Sequence, residues 1–166
     1  MDLRQIFLPE FDQEMATTRR VIARVPGDKG AWRPHPKSFP LGHLAQLCAW
    51  MPEWITRMIN DPKLDLSNRP QYSFETTETL LAMFDRNVAG ARQAIADTSD
   101  EIFGTMWSLT NGDAVLMSMP RGAVVRQTIN HLIHHRGQLS VYLRLVDVPV
   151  PSIYGPTADE PWGTTG

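Results

Sequence analysis

The chain has 166 residues, with 16 lysines and arginines against 18 aspartates and glutamates and a formal net charge of -2. Such a balance excludes the basic surface on which nucleic-acid binding depends, and a single cysteine, Cys48, excludes an internal disulfide. The length predicts one domain over residues 1–166. We also expect a cytoplasmic protein without a membrane partner, because no stretch resembles a signal peptide or approaches the ~20 apolar residues of a membrane span.

The first predicted helix covers about residues 2–25. Apolar residues recur there at spacings of three and four, the pattern of a helix with one buried face, until the segment VPGDKG breaks it. Pro9 either bends this helix or marks its start. The following residues, 31–40, contain three prolines and predict a loop.

The second predicted helix begins at Leu41, with Ser38 as its capping residue and Pro40 in its first turn. Pro52 lies within this helix and predicts a kink, since proline removes one backbone donor. The polar segment that follows, about residues 60–77, is long enough to carry the chain across the end of a helical bundle.

The second half of the chain predicts two more helices, over residues 77–97 and about 121–146. Between them, the Asn-Gly pair at 111–112 indicates a short β-hairpin or an irregular elbow. The proline- and glycine-rich residues 147–166 predict a partly ordered C-terminal tail on the surface. Four long helices predict an all-α four-helix bundle, and the cores of such bundles commonly hold metal sites.

The segment NHLIHHRGQLSVYLRL, residues 130–145, concentrates three of the five histidines. His131 and His135 are four residues apart and share one face of the fourth helix, a spacing that lets two neutral imidazoles bind one metal ion. His134 is turned ~100° away from His135 and is expected at the surface. A pair with this spacing also arises by chance, in which case both histidines are polar groups of the helix core.

A metal site with an open position usually takes three protein ligands, so a third is required. His43 is the best candidate, because it lies on the apolar face of the second helix, one turn before Leu47. His35 lies among prolines and is expected at the surface. Glu53 and Asp85 are weaker candidates, since isolated carboxylates on helices are usually solvated.

Three polar residues near the histidines, Arg136, Asn130 and Gln138, have two interpretations each. Arg136 either anchors an anionic group or forms a surface or dimer salt bridge. Gly137 is expected to permit close approach of another helix, while Asn130 and Gln138 either orient the imidazoles or bond to backbone and water. The tryptophans are expected to be core or interface anchors, namely Trp32, Trp50, Trp54, Trp107 and Trp162.

Two segments resemble the DinB-like proteins, the damage-inducible family of metal-binding four-helix bundles. They are NHLIHHRGQLSVYLRL with the VPVPSIYGPTADE that follows, and WRPHPKSFPLGHLAQL near the second helix. The resemblance implies a bundle with a long crossover connection, a homodimer, and a divalent metal ion, zinc or nickel, held by three histidines. Two of those histidines map onto His131 and His135. The third maps onto Leu47, one turn or ~5.4 Å from His43.

The resemblance further implies a metal-dependent transferase or isomerase that uses a low-molecular-weight thiol as its small-molecule substrate. His131, His135 and His43 would be the metal ligands, and no catalytic base is assigned. A bound divalent ion would lower the pKa of the thiol and hold the thiolate as nucleophile. The alternative is a metal-free dimeric bundle that binds a small ligand without catalysis, and Leu47 favours it.

Overall fold

The computed structural model describes residues 2–68 and 71–161, and its architecture is mostly helical with one three-stranded sheet. The described helices are α1 (Arg4–Ile22), α2 (Leu41–Asn60), α3 (Thr77–Asp97), α4 (Asp100–Gly104) and α5 (Arg121–Leu145). The strands are β1 (Lys63–Asp65), β2 (Met106–Asn111) and β3 (Ala114–Pro120). Among the described residues, none of the helices combines the length and apolar character that crossing a membrane requires.

The four long helices pack around one apolar core. Helix α2 packs against α3 and α5, and α1 packs against the same two helices. Fully buried side chains from each of them meet in this core, for example Phe11, Leu44, Phe84 and Ile129. Helix α5 therefore presents one side to α1 and another to α2, and this placement divides its polar residues between two environments.

The start of α2 corrects one prediction. Ser38 does not cap this helix, because Pro40 occupies the capping position and no side chain accepts a hydrogen bond there. The amide of Leu41 instead donates to the carbonyl of Trp32 at 2.8 Å. A loop carbonyl thus supplies the acceptor that a capping side chain usually gives. At the first helix, Pro9 lies inside α1 and does not mark its start.

The connection between α2 and α3 contains structure that the sequence did not predict. Strand β1 lies within it and pairs in parallel with β2, with Lys63 opposite Ser108. The hairpin between β2 and β3 is confirmed, and Gly112 at its turn has a φ of +57°, which suits a residue without a side chain. The short helix α4 is also additional, and the side chain of Ser99 caps it. The bundle prediction therefore included the hairpin but omitted strand β1 and one helix.

Residues 147–161 are held against α1 and α5 by side-chain contacts. Arg144 on α5 pairs with Asp159, whose carboxylate also accepts a hydrogen bond from the amide of Val150 at 2.8 Å. Arg20 on α1 pairs with Glu160 in the same way. The tail prediction extends to residue 166, and its last residues, including Trp162, lie outside the described part of the chain.

Candidate metal centre

Helix α5 brings the two predicted metal ligands together. The Nε2 atoms of His131 and His135 lie 2.9 Å apart, and the ring centroids are separated by 4.6 Å. Two metal–nitrogen bonds of ~2.0–2.1 Å would place their nitrogens ~2.9 Å apart at the right angle of an octahedral site, and ~3.3 Å apart at a tetrahedral angle. The same distance also suits an N–H···N hydrogen bond. The pair therefore fits two adjacent positions around one ion, and it fits a metal-free contact as well.

Gln138 determines how the His135 ring presents its nitrogens. The Oε1 atom of Gln138 accepts a hydrogen bond from Nδ1 of His135 at 2.7 Å, and its Nε2 donates to Nε2 of His134 at 3.0 Å. With the proton of His135 on Nδ1, its Nε2 keeps a lone pair that points toward His131. Gln138 thus makes the orienting contact that a metal-binding histidine commonly has.

Both histidines of the pair favour the neutral form. Loss of solvent around its ring lowers the pKa of His131 below the ordinary 6.5, and the neighbouring charges of His135 and His134 lower it further. Burial likewise lowers the pKa of His135, while its hydrogen bond to Gln138 acts in the opposite direction. Near pH 7 both rings are therefore neutral, which is the form that metal binding requires.

The surroundings leave the pair open on one side. His131 is exposed and His135 is half-buried. On the α2 side, the ring centroid of Trp54 lies 6.4 Å from that of His131. One turn earlier on α5, the buried hydroxyl of Thr128 contacts the sulfur of Met58 at 3.2 Å and donates to the Val124 carbonyl at 2.9 Å. Helix α2 therefore borders one side of the histidine pair, and the other side is accessible to small molecules from solvent.

The structure does not bring His43 to this pair. Its ring is stacked between Phe39 and Tyr72, with centroid distances of 4.4 Å and 3.5 Å. Within residues 2–68 and 71–161, no group of three or more histidine, cysteine, aspartate or glutamate side chains is close enough to hold a metal ion. Leu47 is buried in the apolar core, with 5% of its surface exposed. The role of His43 as third ligand stays a prediction.

His35 and Asp85 lie apart from the pair, and Glu53 lines a cavity between α2 and α3. His35 is exposed and accepts a hydrogen bond from the Lys37 amide at 3.1 Å. Asp85 forms a surface ion pair with Arg19 at 2.8 Å, in agreement with a solvated carboxylate. Cys48 is fully buried, and burial raises the pKa of its thiol to about 12. Burial and a raised pKa therefore favour the protonated thiol of a core residue, which is a poor metal ligand and a poor nucleophile.

Arg136 lies ~100° around α5 from His135 and is buried, so both interpretations of it are wrong. Its guanidinium is 1% exposed and forms an ion pair with the carboxylate of Glu14 at 2.6 Å. It also donates to the Tyr154 hydroxyl at 2.9 Å, and that hydroxyl donates to Glu14 at 2.9 Å. Arg136 is thus a buried structural charge that joins α5, α1 and the C-terminal segment. A usable signal was present, because Glu14 falls on the apolar face of α1 with Phe11 and Thr18.

Gly137 lies in an open environment, while three of the tryptophans contribute to the core. A Cβ atom placed on Gly137 would meet nothing within 4 Å, so the expected close approach of another helix is wrong for the described chain. Trp107 is buried in the core, as predicted. Trp32 and Trp54 are partly buried and pack against that core.

Comparisons with known proteins support one assignment of family and fold. The sequence profile described as the DinB family matches residues 5–164. A DinB-like protein of Bacillus subtilis aligns over 88% of this chain and 96% of its own, with a TM-score of 0.69 and 17% identity. A DinB-like protein of Bacillus cereus ATCC 10987 aligns over 89% and 95%, with a TM-score of 0.69 and 19% identity. At these identities the likeness is one of fold.

A closer match in sequence is also shorter. The uncharacterized protein YrdA of Bacillus subtilis strain 168 is 46% identical to this chain over 48 residues. That stretch covers 29% of this chain and 28% of YrdA, so it spans less than a third of either protein.

Proposed function

Because the chain belongs to the DinB family, we propose that His131 and His135 hold a divalent metal ion, zinc or nickel, used in a thiol-dependent transfer or isomerisation. The observation that carries the proposal is the convergence of their Nε2 atoms at 2.9 Å on an accessible face of α5. We further propose that the four long helices form a bundle with a crossover between α2 and α3. The working form would be a cytoplasmic homodimer.

The residues present explain which part of the chemistry the protein would supply. Two imidazoles occupy two positions around an ion and leave the others to water, a third protein ligand or the substrate thiol. When bound, the ion lowers the pKa of a thiol and stabilises the thiolate. Gln138 holds His135 in the tautomer that binds metal, and Trp54 shields the α2 side of His131 from solvent. Since Cys48, the only cysteine, stays protonated in the core, the thiol would come from a small-molecule substrate.

Metal content tests this proposal directly. Protein purified without a histidine tag or chelator should carry one equivalent of a divalent metal. His131→Ala and His135→Ala should each lose it, because one imidazole is too few donors for a stable site. His134→Ala is the matched control, since it removes a histidine from the same helix turn outside the pair, and it should retain the metal. A wild-type protein as metal-free as both variants would contradict the proposal.

Two further variants identify the third donor. If His43 completes the site, His43→Ala should lower metal affinity by orders of magnitude. If water or substrate completes it, affinity should stay unchanged. Leu47→His places an imidazole at the family position on α2, which packs against α5, and should raise affinity at least about tenfold. An unchanged affinity would show that the Leu47 position does not face the ion.

A second function has an observation in its favour. Leu47 is buried in the core at the position where the family places a histidine. The 2.9 Å contact between His131 and His135 is also a suitable hydrogen bond. A metal-free dimer that binds a small ligand without catalysis would have both features. Wild type, His131→Ala and His135→Ala would then all fold and all contain no metal.

A further inference from the structure

A cavity of about 340 Å³ lies between α2, α3 and the connection that joins them. Trp50 and Trp54, one turn apart on α2, form part of its wall, together with Tyr72 from the connection. The Tyr72 ring lies 4.8 Å from that of Trp50 and at 35° to it. Three aromatic rings therefore offer flat apolar surface to a planar group. The volume lies near the low end of the roughly 300–1,000 Å³ of small-molecule sites.

Four charged side chains also line the cavity, and two of them are already engaged. Arg57 pairs with Asp61 at 3.3 Å. Asp65 accepts hydrogen bonds from the amides of Ser67 and Gly112, both at 3.0 Å, and so fixes the turn of the sheet.

Glu53 on α2 and Arg86 on α3 are the remaining two. Neither forms a hydrogen bond or an ion pair with another residue of the described chain. Glu53 is half-buried, and burial raises the pKa of its carboxyl group. Burial disfavours the charged carboxylate, and the nearby charge of Arg57 offsets only part of this cost. A positive group of a ligand that contacts Glu53 directly would offset more of it.

The charged groups that line the cavity indicate which class of ligand fits it. The lining carries two carboxylates and two guanidinium groups. A ligand that is only a cation would meet both guanidinium groups, and one that is only an anion would meet both carboxylates. A zwitterion satisfies both signs at once.

We propose that this cavity binds a zwitterionic amino acid with an aromatic side chain. Glu53 receives its ammonium group, Arg86 receives its carboxylate, and the ring packs against Trp50 and Trp54. The site lies apart from the histidine pair, although Trp54 borders both. It is also independent of the metal, because His131 and His135 are not among the groups that hold the ligand and Glu53 belongs to no cluster of potential metal ligands in the described chain.

Three ligands of matched shape test the proposal by calorimetric titration of chelator-treated protein. L-phenylalanine should bind at least about tenfold more tightly than phenethylamine or 3-phenylpropionate, because each of these lacks one of its two charges. Quenching of tryptophan fluorescence on binding should report contact with the indoles. Equal binding of all three, or no binding of L-phenylalanine up to about 10 mM, would overturn the proposal.

Matched variants locate the ligand. Glu53→Gln keeps the shape of the cavity, and Arg86→Gln removes the guanidinium but keeps a polar side chain. Each should weaken L-phenylalanine binding by about tenfold. Glu101→Gln, on the exposed face of α4, removes a carboxylate far from the cavity and should bind as wild type does. His131→Ala should also bind as wild type, whereas a loss of binding in that variant would move the ligand to the histidine pair. Binding unaffected by both cavity variants would overturn the assignment of Glu53 and Arg86.

Discussion

His135 and Arg136 are neighbours in the chain and face opposite environments on α5. His135 is half-buried on the accessible side, and its Nε2 lies 2.9 Å from that of His131. Arg136 is 1% exposed, and the carboxylate of Glu14, 2.6 Å away, neutralises its charge. A step of ~100° along the helix separates the two roles. Polar groups whose partners lie within the protein maintain the structure, while neutral groups that converge toward solvent are available for ligands.

The largest expected effect is on the free energy of unfolding and concerns the buried ion pair between Arg136 and Glu14. Glu14→Ala should lower the free energy of unfolding by about 3–5 kcal/mol, because it leaves the guanidinium of Arg136 buried without its carboxylate. Asp12→Ala is the control on the same helix, since it removes an exposed ion pair with Arg92 and should cost no more than about 1 kcal/mol. Urea denaturation measures both. Similar losses in the two variants would show that Arg136 does not depend on Glu14.

The next largest effect is on metal affinity and concerns the hydrogen bond between Gln138 and His135 on the accessible side of α5. Gln138→Ala should weaken metal binding by about 10–100-fold, because His135 loses the acceptor that fixes its tautomer. Thermal stability should change little, since Gln138 is exposed. Asn130→Ala, also exposed on α5, is the control and should bind as wild type in a calorimetric titration. If Gln138→Ala binds metal as wild type does, the amide does not orient the ring.

A smaller effect on stability tests whether the surface of α5 around Gly137 is open to solvent or covered by a second copy of the chain. Gly137→Ala should raise the free energy of unfolding by up to about 1 kcal/mol, because alanine favours the helix and its methyl group meets no described atom within 4 Å. Urea denaturation at low protein concentration gives the value. Destabilisation together with a change in sedimentation would show instead that a second copy covers this part of α5.

The smallest effect is a pH dependence of the metal-free protein. The folded-state pKa values of His131 and His135 lie below 6.5, so the unfolded chain takes up protons first as the pH falls. Stability should be complete above about pH 6.5 and should decrease as the pH falls through the folded pKa values. His131→Gln with His135→Gln should flatten this dependence in urea midpoints, while His35→Gln, exposed and apart from the pair, should preserve it. A double variant with the wild-type slope would place the titration elsewhere.

The sequence predicted what depends on near neighbours. The apolar repeat of residues 77–97 and the Asn-Gly turn each signal their own structure, and both are confirmed as α3 and the β2–β3 hairpin. The pairing of His131 with His135 is equally local, because four residues along a helix return to the same face.

Features that depend on distant partners were not predictable in this way. Strand β1 has three residues and is held by β2, far along the chain, so its own pattern is too short to indicate a strand. Arg136 meets Glu14 across 122 positions. Its spacing from Leu132 and Leu139 puts it on the apolar face of α5, but nothing near it identifies Glu14 as its partner. The capping of α2 by a loop carbonyl also depends on how residues 31–40 fold back. The cavity with Glu53 and Arg86 exists only once α2 and α3 have packed together.

The burial of Cys48 has a practical consequence. A thiol sealed in the core and kept protonated reacts with alkylating reagents only after the protein opens. The chain contains no second cysteine, so the rate at which Cys48 is modified reports how often the protein opens around one known position in α2. Mass spectrometry of the intact chain would therefore follow the motions of the native protein without any engineered label.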